Sequence, residues 1–272
     1  MKITNSERVI YQNNPIAEVI CQIRFEALSA IEVENFAFLQ KSLSDLGYTK
    51  YSQEKTYGFQ QQLDARGMPI PQAPVSLPQL LIHRFMSDDG LFHVLYCADF
   101  ISISCLKYSN WDDFLKRIFA VIGAFAALHI KVNVNRMGLR YRDVIEREAI
   151  GLKGVPWQEL IKPFLLGPFA QNALCDELDD DVNIHSLMSQ AQLKVDDSWL
   201  ILQSALMSSV SGENKAFLID SDFFYDQKID PDLLSNFDKL DFTLNKLHSN
   251  AGALFRRCIT EKLHNALKST AN

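Results

Sequence analysis

The chain is short of the residues from which recognisable catalytic loops are built. Only 11 of its 272 residues are glycine, and neither GxGxxG nor GxxxxGK[ST] occurs, so no glycine-rich turn offers to cradle a phosphate. GxSxG and HExxH are missing too, which removes the nucleophile elbow and the paired-histidine zinc helix. The five cysteines, Cys21, Cys97, Cys105, Cys175 and Cys258, are odd in number, widely spaced and without a CxxC pair. Thiols in apolar settings such as VICQI behave as small hydrophobes, which fits a reducing compartment better than a disulfide scaffold. The N-terminal MKITNSERVIYQ contains no apolar signal core. The most apolar helix candidate, Phe114–Ile130, opens with Lys116 and Arg117 and is too short for a bilayer. A cytoplasmic protein without a membrane segment is expected.

Positive charge is scarce as well. Twenty-seven Lys and Arg against 33 Asp and Glu leave a net charge of −6, which argues against a general nucleic-acid surface. The six histidines, His83, His93, His129, His185, His248 and His264, include no pair at metal-ligand spacing. His83 and His93 fall on the two arms of one hairpin and would need a further ligand. The acids between Asp176 and Asp181 read as a solvated loop. Asp220, Asp222 and Asp226 lack the glycine and closing glutamate of a calcium loop. No metal and no cofactor is expected.

What is present is the patterning of an ordinary globular chain, 47% apolar and 22% charged, with length for a sizeable core. Ile16–Phe25 (IAEVICQIRF) alternates as a strand, Ile31–Leu46 has helical spacing, and Tyr57–Leu63 is another strand candidate. Four prolines make Arg66–Pro78 a loop. Leu80–Phe85 and Leu91–Tyr96 flank the turn signal Ser87–Gly90, and Phe100–Tyr108 alternates again. Ser109 or Asn110 caps the apolar helix, with Asp112 and Asp113 in its first turn. The second half offers a short helix at Trp157–Leu166, strands at Asn183–Val195, Trp199–Ser208 and Ala216–Tyr225, and a long helix from about Asp232. Each half, 1–150 and 151–272, thus reads as a strand meander followed by a helix, the two joined in one compact unit. The expected class is α+β, with antiparallel meander sheets and helices on one face.

Two features carry the functional reading. In the last helix Phe237, Leu240, Leu244, Leu247, Ala251, Leu254 and Cys258 step by threes and fours, a narrow apolar seam. It lies across a sheet, or it makes Leu240, Leu244 and Leu247 an interface for a second copy or a partner. In NRMGLRYRDVI (Asn135–Ile145), strand alternation puts Arg136, Arg140 and Arg142 on one face and Met137, Leu139 and Tyr141 on the other. The guanidinium row meets internal carboxylates, Asp220 and Asp222 being spaced by two as Arg140 and Arg142 are, or it holds an anion.

Three segments resemble a family of sporadically distributed bacterial proteins of unassigned function. They are NPIAEVICQIRF (Asn14–Phe25), MGLRYRDVI (Met137–Ile145) and LHSNAGALFRRCITEKL (Leu247–Leu263), in the family's order across nearly the whole chain. The sequence departs at Arg142, where the family has an apolar residue, and at Asp143, where Asn is usual. The resemblance implies a full-length single unit in a bacterial or mobile-element setting and brings no activity, cofactor or catalytic residue.

With no coupled nucleophile and base, an enzyme is not the expectation; Tyr141 with Arg140, or His248 with Glu261, have no spacing argument. The leading expectation is an interaction or regulatory protein, partnered by the product of a neighbouring gene and suited to defence or toxin–antitoxin loci. The alternative is a small-molecule binder with a cavity between sheet and long helix. Arg136, Arg140, Tyr141 and Arg142 would then hold an anionic or apolar ligand.

Overall fold

The computed structural model describes residues 3, 9–28, 35–57, 79–170, 187–208, 215–227, 229 and 232–271. The strands are β1 (Val9–Tyr11), β2 (Ile16–Phe25), β3 (Lys50–Tyr57), β4 (Gln79–Met86), β5 (Phe92–Cys97), β6 (Phe100–Cys105), β7 (Val134–Glu146), β8 (Leu187–Val195), β9 (Ser198–Ser208), β10 (Lys215–Tyr225) and β11 (Ser269–Ala271). The helices are α1 (Phe36–Asp45), α2 (Trp111–Ala126), α3 (Pro163–Leu166), α4 (Phe237–Cys258) and α5 (Glu261–Ala266).

Strict alternation in β2, β7 and their neighbours gives each strand one apolar row, and register aligns the rows. Nine strands form one antiparallel sheet in the order β3-β4-β5-β6-β2-β7-β10-β9-β8. Phe85, Val94, Ile103, Cys21, Leu139, Phe223 and Leu200 succeed one another across it. None of them is more than 2% exposed. Such a row must be covered. Helix α4 lies on β7 and β10 and α2 on β6, with Phe25 stacked on Phe125 at 5.3 Å. The fold is therefore α+β, as the patterning predicts. Strands from both halves share the sheet, because β7 runs against β10 from Met137–Tyr225 to Glu146–Ala216.

The helix boundaries follow their caps. Asn110 accepts the Asp113 amide at 2.9 Å and starts α2 three residues before the predicted first residue. Asn236 accepts the Lys239 amide at 3.2 Å and starts α4 later than predicted. Replacing Asn236 with Ala should cost about 1 kcal/mol in urea denaturation, the usual loss of a side-chain cap. The last helix is also not continuous. Thr260 caps α5 through the Leu263 amide, and Ile259 pairs with Ile161 as an isolated bridge. The Lys162 amide takes the Cys258 carbonyl at 2.8 Å, so the chain at 159–162 supplies the partners that end α4.

The seam of α4 faces inward. Leu240, Leu244 and Leu247 are each 0% exposed and belong to the core. This corrects the interface reading of those three residues, since the surface they cover is the protein's own sheet. Among the described residues no helix is long and apolar enough to cross a membrane. The loop at 66–78, the turn that Ser211–Asn214 (SGEN) signals between the last two strand candidates, the acids at 176–181, Cys175, His185 and most of the Tyr57–Leu63 strand candidate lie outside the described residues.

One small element escapes prediction. Strands β1 and β11, three residues each, pair as Val9–Ala271, Ile10–Thr270 and Tyr11–Ser269. Runs of three residues carry no usable period, and their partners stand at opposite ends of the chain.

Candidate functional site

The arginine row of β7 meets carboxylates supplied by the neighbouring strands. Asp220 stands opposite Arg142 and Asp222 opposite Arg140, but the long guanidiniums reach diagonally. Arg140 donates Nε and Nη2 to the two oxygens of Asp220, at 2.7 and 2.6 Å. That is the bidentate fork a planar guanidinium favours. Arg136 donates to Asp222 at 2.7 Å, with its guanidinium 4.2 Å from the Phe224 ring centre. Gly138 makes room for it, because a Cβ there would lie 2.8 Å from Arg136 Nη1. Arg142 donates to Glu18 at 2.9 Å and stands 3.6 Å from Asp220. Of the two meanings open from sequence, the geometry gives the row its internal carboxylates. His83 and His93 also part company: His83 pairs with Tyr96 and Met86 with His93, which puts the two imidazoles on opposite faces of the sheet.

The other face of β7 lines a cavity of about 420 Å³ beneath α4, within the range of small-molecule pockets. Of the predicted site residues, Tyr141 borders it; Arg136, Arg140 and Arg142 do not. Tyr141 and Asp143 project from β7. Beside them β2 changes register between Ile16 and Glu18, a bulge that loosens the ladder next to Asp143. Asn14 holds the segment before it, taking the Ile16 amide and donating to the Tyr108 carbonyl at 3.0 Å. Tyr108 and Trp111 enter from the connection into α2, and Tyr11 from β1.

Helix α4 closes the roof with one face. His248, Gly252 and Phe255 recur at intervals of four and three, with Arg256 next to Phe255. The Trp111 indole lies flat on the His248 ring, centroids 4.3 Å apart, and donates Nε1 to Asn245 at 2.8 Å. His248 Nδ1 and the Tyr141 hydroxyl share a hydrogen bond of 2.8 Å, and Tyr11 does the same with His264 at 2.9 Å. A Cβ at Gly252 would meet nothing within 4 Å. Gly252→Ala should therefore stabilise the protein by about 1 kcal/mol through helix propensity, read from the denaturation midpoint.

The electrostatics set Asp143 apart. It is 3% exposed, borders the cavity, and among the described residues its carboxyl has no hydrogen-bond or ion-pair partner. Burial, with Asp220 behind the sheet, pushes it up to about 8. Burial likewise raises Tyr11 to about 12 and Tyr141 well above the ordinary phenol value, so both phenols stay neutral at physiological pH. Arg256 at the rim is engaged by Glu261. Among the described residues no three His, Cys, Asp or Glu side chains converge as a metal set would.

From sequence, Tyr11, Tyr108 and Trp111 carry no site signal, His248 appears only beside Glu261, and Asp143 only as a departure from the family pattern. One signal existed for Asp143. It shares the odd parity of Met137, Leu139 and Tyr141, which makes it an acid on the apolar side of a strand.

No family model matches the chain, and no curated protein matches it. Among solved structures the S. pombe Pct1 RNA triphosphatase in complex with the Spt5 CTD aligns at 9% identity over 90% of this chain and 84% of that one, with a TM-score of 0.15. A superposition at that level carries no argument about fold or function.

Proposed function

We propose that the protein binds a small organic molecule in the cavity between β7 and α4. The observation that carries this is Asp143, a carboxyl 3% exposed, without a partner among the described residues, that borders an aromatic-lined hollow. A buried polar group left unpaired is costly to stability. Strongly perturbed acids in clefts concentrate at sites of function. The partner surface that the interaction reading offers, the seam at Leu240, Leu244 and Leu247, faces the core, so the cavity is the firmer basis.

Native mass spectrometry of protein purified gently from its own host tests the reading. An added small-molecule mass on the wild type should be lost in Gly252→Phe, where the new ring occupies the cavity's border. A clean apo mass for the wild type, from extracts never exposed to denaturant or dialysis, counts against it.

A further inference from the structure

We propose that the ligand is an organic ammonium ion, held with Asp143 as its counter-ion and the surrounding aromatic rings as its walls. The proposal rests on the cavity being a ligand site. Geometry supplies the first argument. A carboxylate taken out of water needs a cation or several donors, and Asp143 has neither among the described residues. The nearest arginines along its own strand, Arg140 and Arg142, project to the opposite face and are committed to Asp220 and Glu18. The counter-ion that its ionised form lacks among the described residues can reach it through the cavity it borders.

The lining supplies the second argument. Tyr11, Tyr108, Trp111, Tyr141 and Phe255 border the same hollow. Aromatic faces attract ammonium groups through their negative quadrupoles, most strongly where water is excluded. An anionic ligand would meet the reverse situation: the cavity's guanidinium, Arg256, is already engaged by Glu261, and Asp143 would repel it.

Titration gives a signature that a merely structural acid would not. With its carboxyl raised to about 8, Asp143 holds a proton at neutral pH and must surrender it to pair with a cation. Several groups border the same cavity or act on the carboxyl electrostatically. Tyr11 comes from β1, Tyr108 from the connection before α2, Asp112 from its first turn, and Tyr141 from its own strand. His248, Arg256 and Cys258 belong to α4, and Asp220 approaches through the sheet from β10. Tyr11, Tyr141 and Cys258 are all raised by burial and stay neutral through this range.

Three molecules of one shape isolate the charge. Choline is a permanent cation. Dimethylbutanol replaces its trimethylammonium with an uncharged tert-butyl group, and tert-butylacetate carries a carboxylate at similar size. Titration of the intact protein by calorimetry, with tryptophan fluorescence as a second readout, should give choline a Kd of roughly millimolar or better, as its few atoms permit. Its affinity should exceed that of dimethylbutanol at least about tenfold. It should also rise roughly tenfold per pH unit up to about pH 8 and level off above, with about one proton released to buffer per choline at neutral pH. Asp143→Asn, its folding checked by thermal midpoint, should lose that advantage and the proton release together.

Equal binding of dimethylbutanol or tert-butylacetate leaves a ligand site but overturns the cation assignment. Unchanged choline affinity in Asp143→Asn overturns Asp143 as counter-ion. No binding of any of the three at about 10 mM, far above what such ligands need in a fitted pocket, overturns this proposal, while an added native mass lost in Gly252→Phe would still keep the ligand-site reading beneath it.

Discussion

Asparagine in place of Asp143 is expected to raise the stability of the protein, and to do so more at neutral pH than in mild acid. The folded carboxyl keeps its proton up to about 8, whereas the unfolded chain loses it near ~4. Between those values the native state binds the extra proton, so stability falls as pH rises. The contribution is whole below the unfolded value and has drained away once pH passes the folded one. At 1.36 kcal/mol per pH unit the accumulated penalty at neutral pH is on the order of 4 kcal/mol. An amide of the same shape does not titrate, so the variant loses this slope. For a chain of this length the gain corresponds to a rise in Tm of roughly 10 °C at about pH 7, and to only a few degrees at about pH 5. Circular dichroism melts at the two pH values measure both. A variant melting below the wild type at neutral pH would mean that the acid already has a partner inside the fold. Removing a strained group from a working site commonly stabilises a protein at the expense of function.

Arg140→Ala is expected to act in the opposite direction, with a loss of about 3 kcal/mol. The change leaves Asp220, 2% exposed, without its bidentate partner. Breaking a buried pair from one side commonly costs about 3–5 kcal/mol, because the surviving charge stays desolvated. The lower end applies here, since Arg140 is partly solvated and Arg142 stands 3.6 Å from the same carboxylate. Arg142→Ala should cost only about 1 kcal/mol, as its own partner Glu18 keeps contact with water. The double variant should lose more than the sum of the two, because Asp220 is then left with no cation at all. Urea denaturation of the four proteins closes the cycle. A single Arg140→Ala loss within about 0.5 kcal/mol of zero would show that water replaces the guanidinium at no cost.

The sheet was legible from sequence because alternation in Ile16–Phe25, Phe100–Cys105 and Val134–Glu146 is local, and local patterns fix which side chains share a face. The sorting of Arg136, Arg140 and Arg142 from Met137, Leu139 and Tyr141 follows from that parity alone. What the arginines meet does not, since Glu18 and Asp220 reach β7 only through strand order. The seam of α4 shows the same limit from the other side. Leucines at 240, 244 and 247 demand cover, and their spacing is indifferent to whether a partner or the chain's own sheet provides it. The cavity was illegible for a plainer reason. Its walls come from Tyr11, Trp111, Tyr141 and His248, which only the folded topology brings together. The end of α4 at Cys258 was hidden too, because the residues that stop it lie near Ile161.

The ribbon of β1 and β11 gives this cavity an order of assembly. Its three residue pairs join positions about 260 apart, from Val9–Ala271 to Tyr11–Ser269, and closing so long a loop returns little until the rest of the chain is in place. The wall carrying Tyr11 is therefore completed late in folding and is among the first elements to fray. Amide hydrogen exchange should show this directly, with Ile10 and Tyr11 exchanging well before the Leu139 and Tyr141 amides of the central strand. A ligand seated against that wall would be held by the part of the fold that takes shape last, and its residence time would follow the breathing of the two chain ends rather than the stability of the sheet.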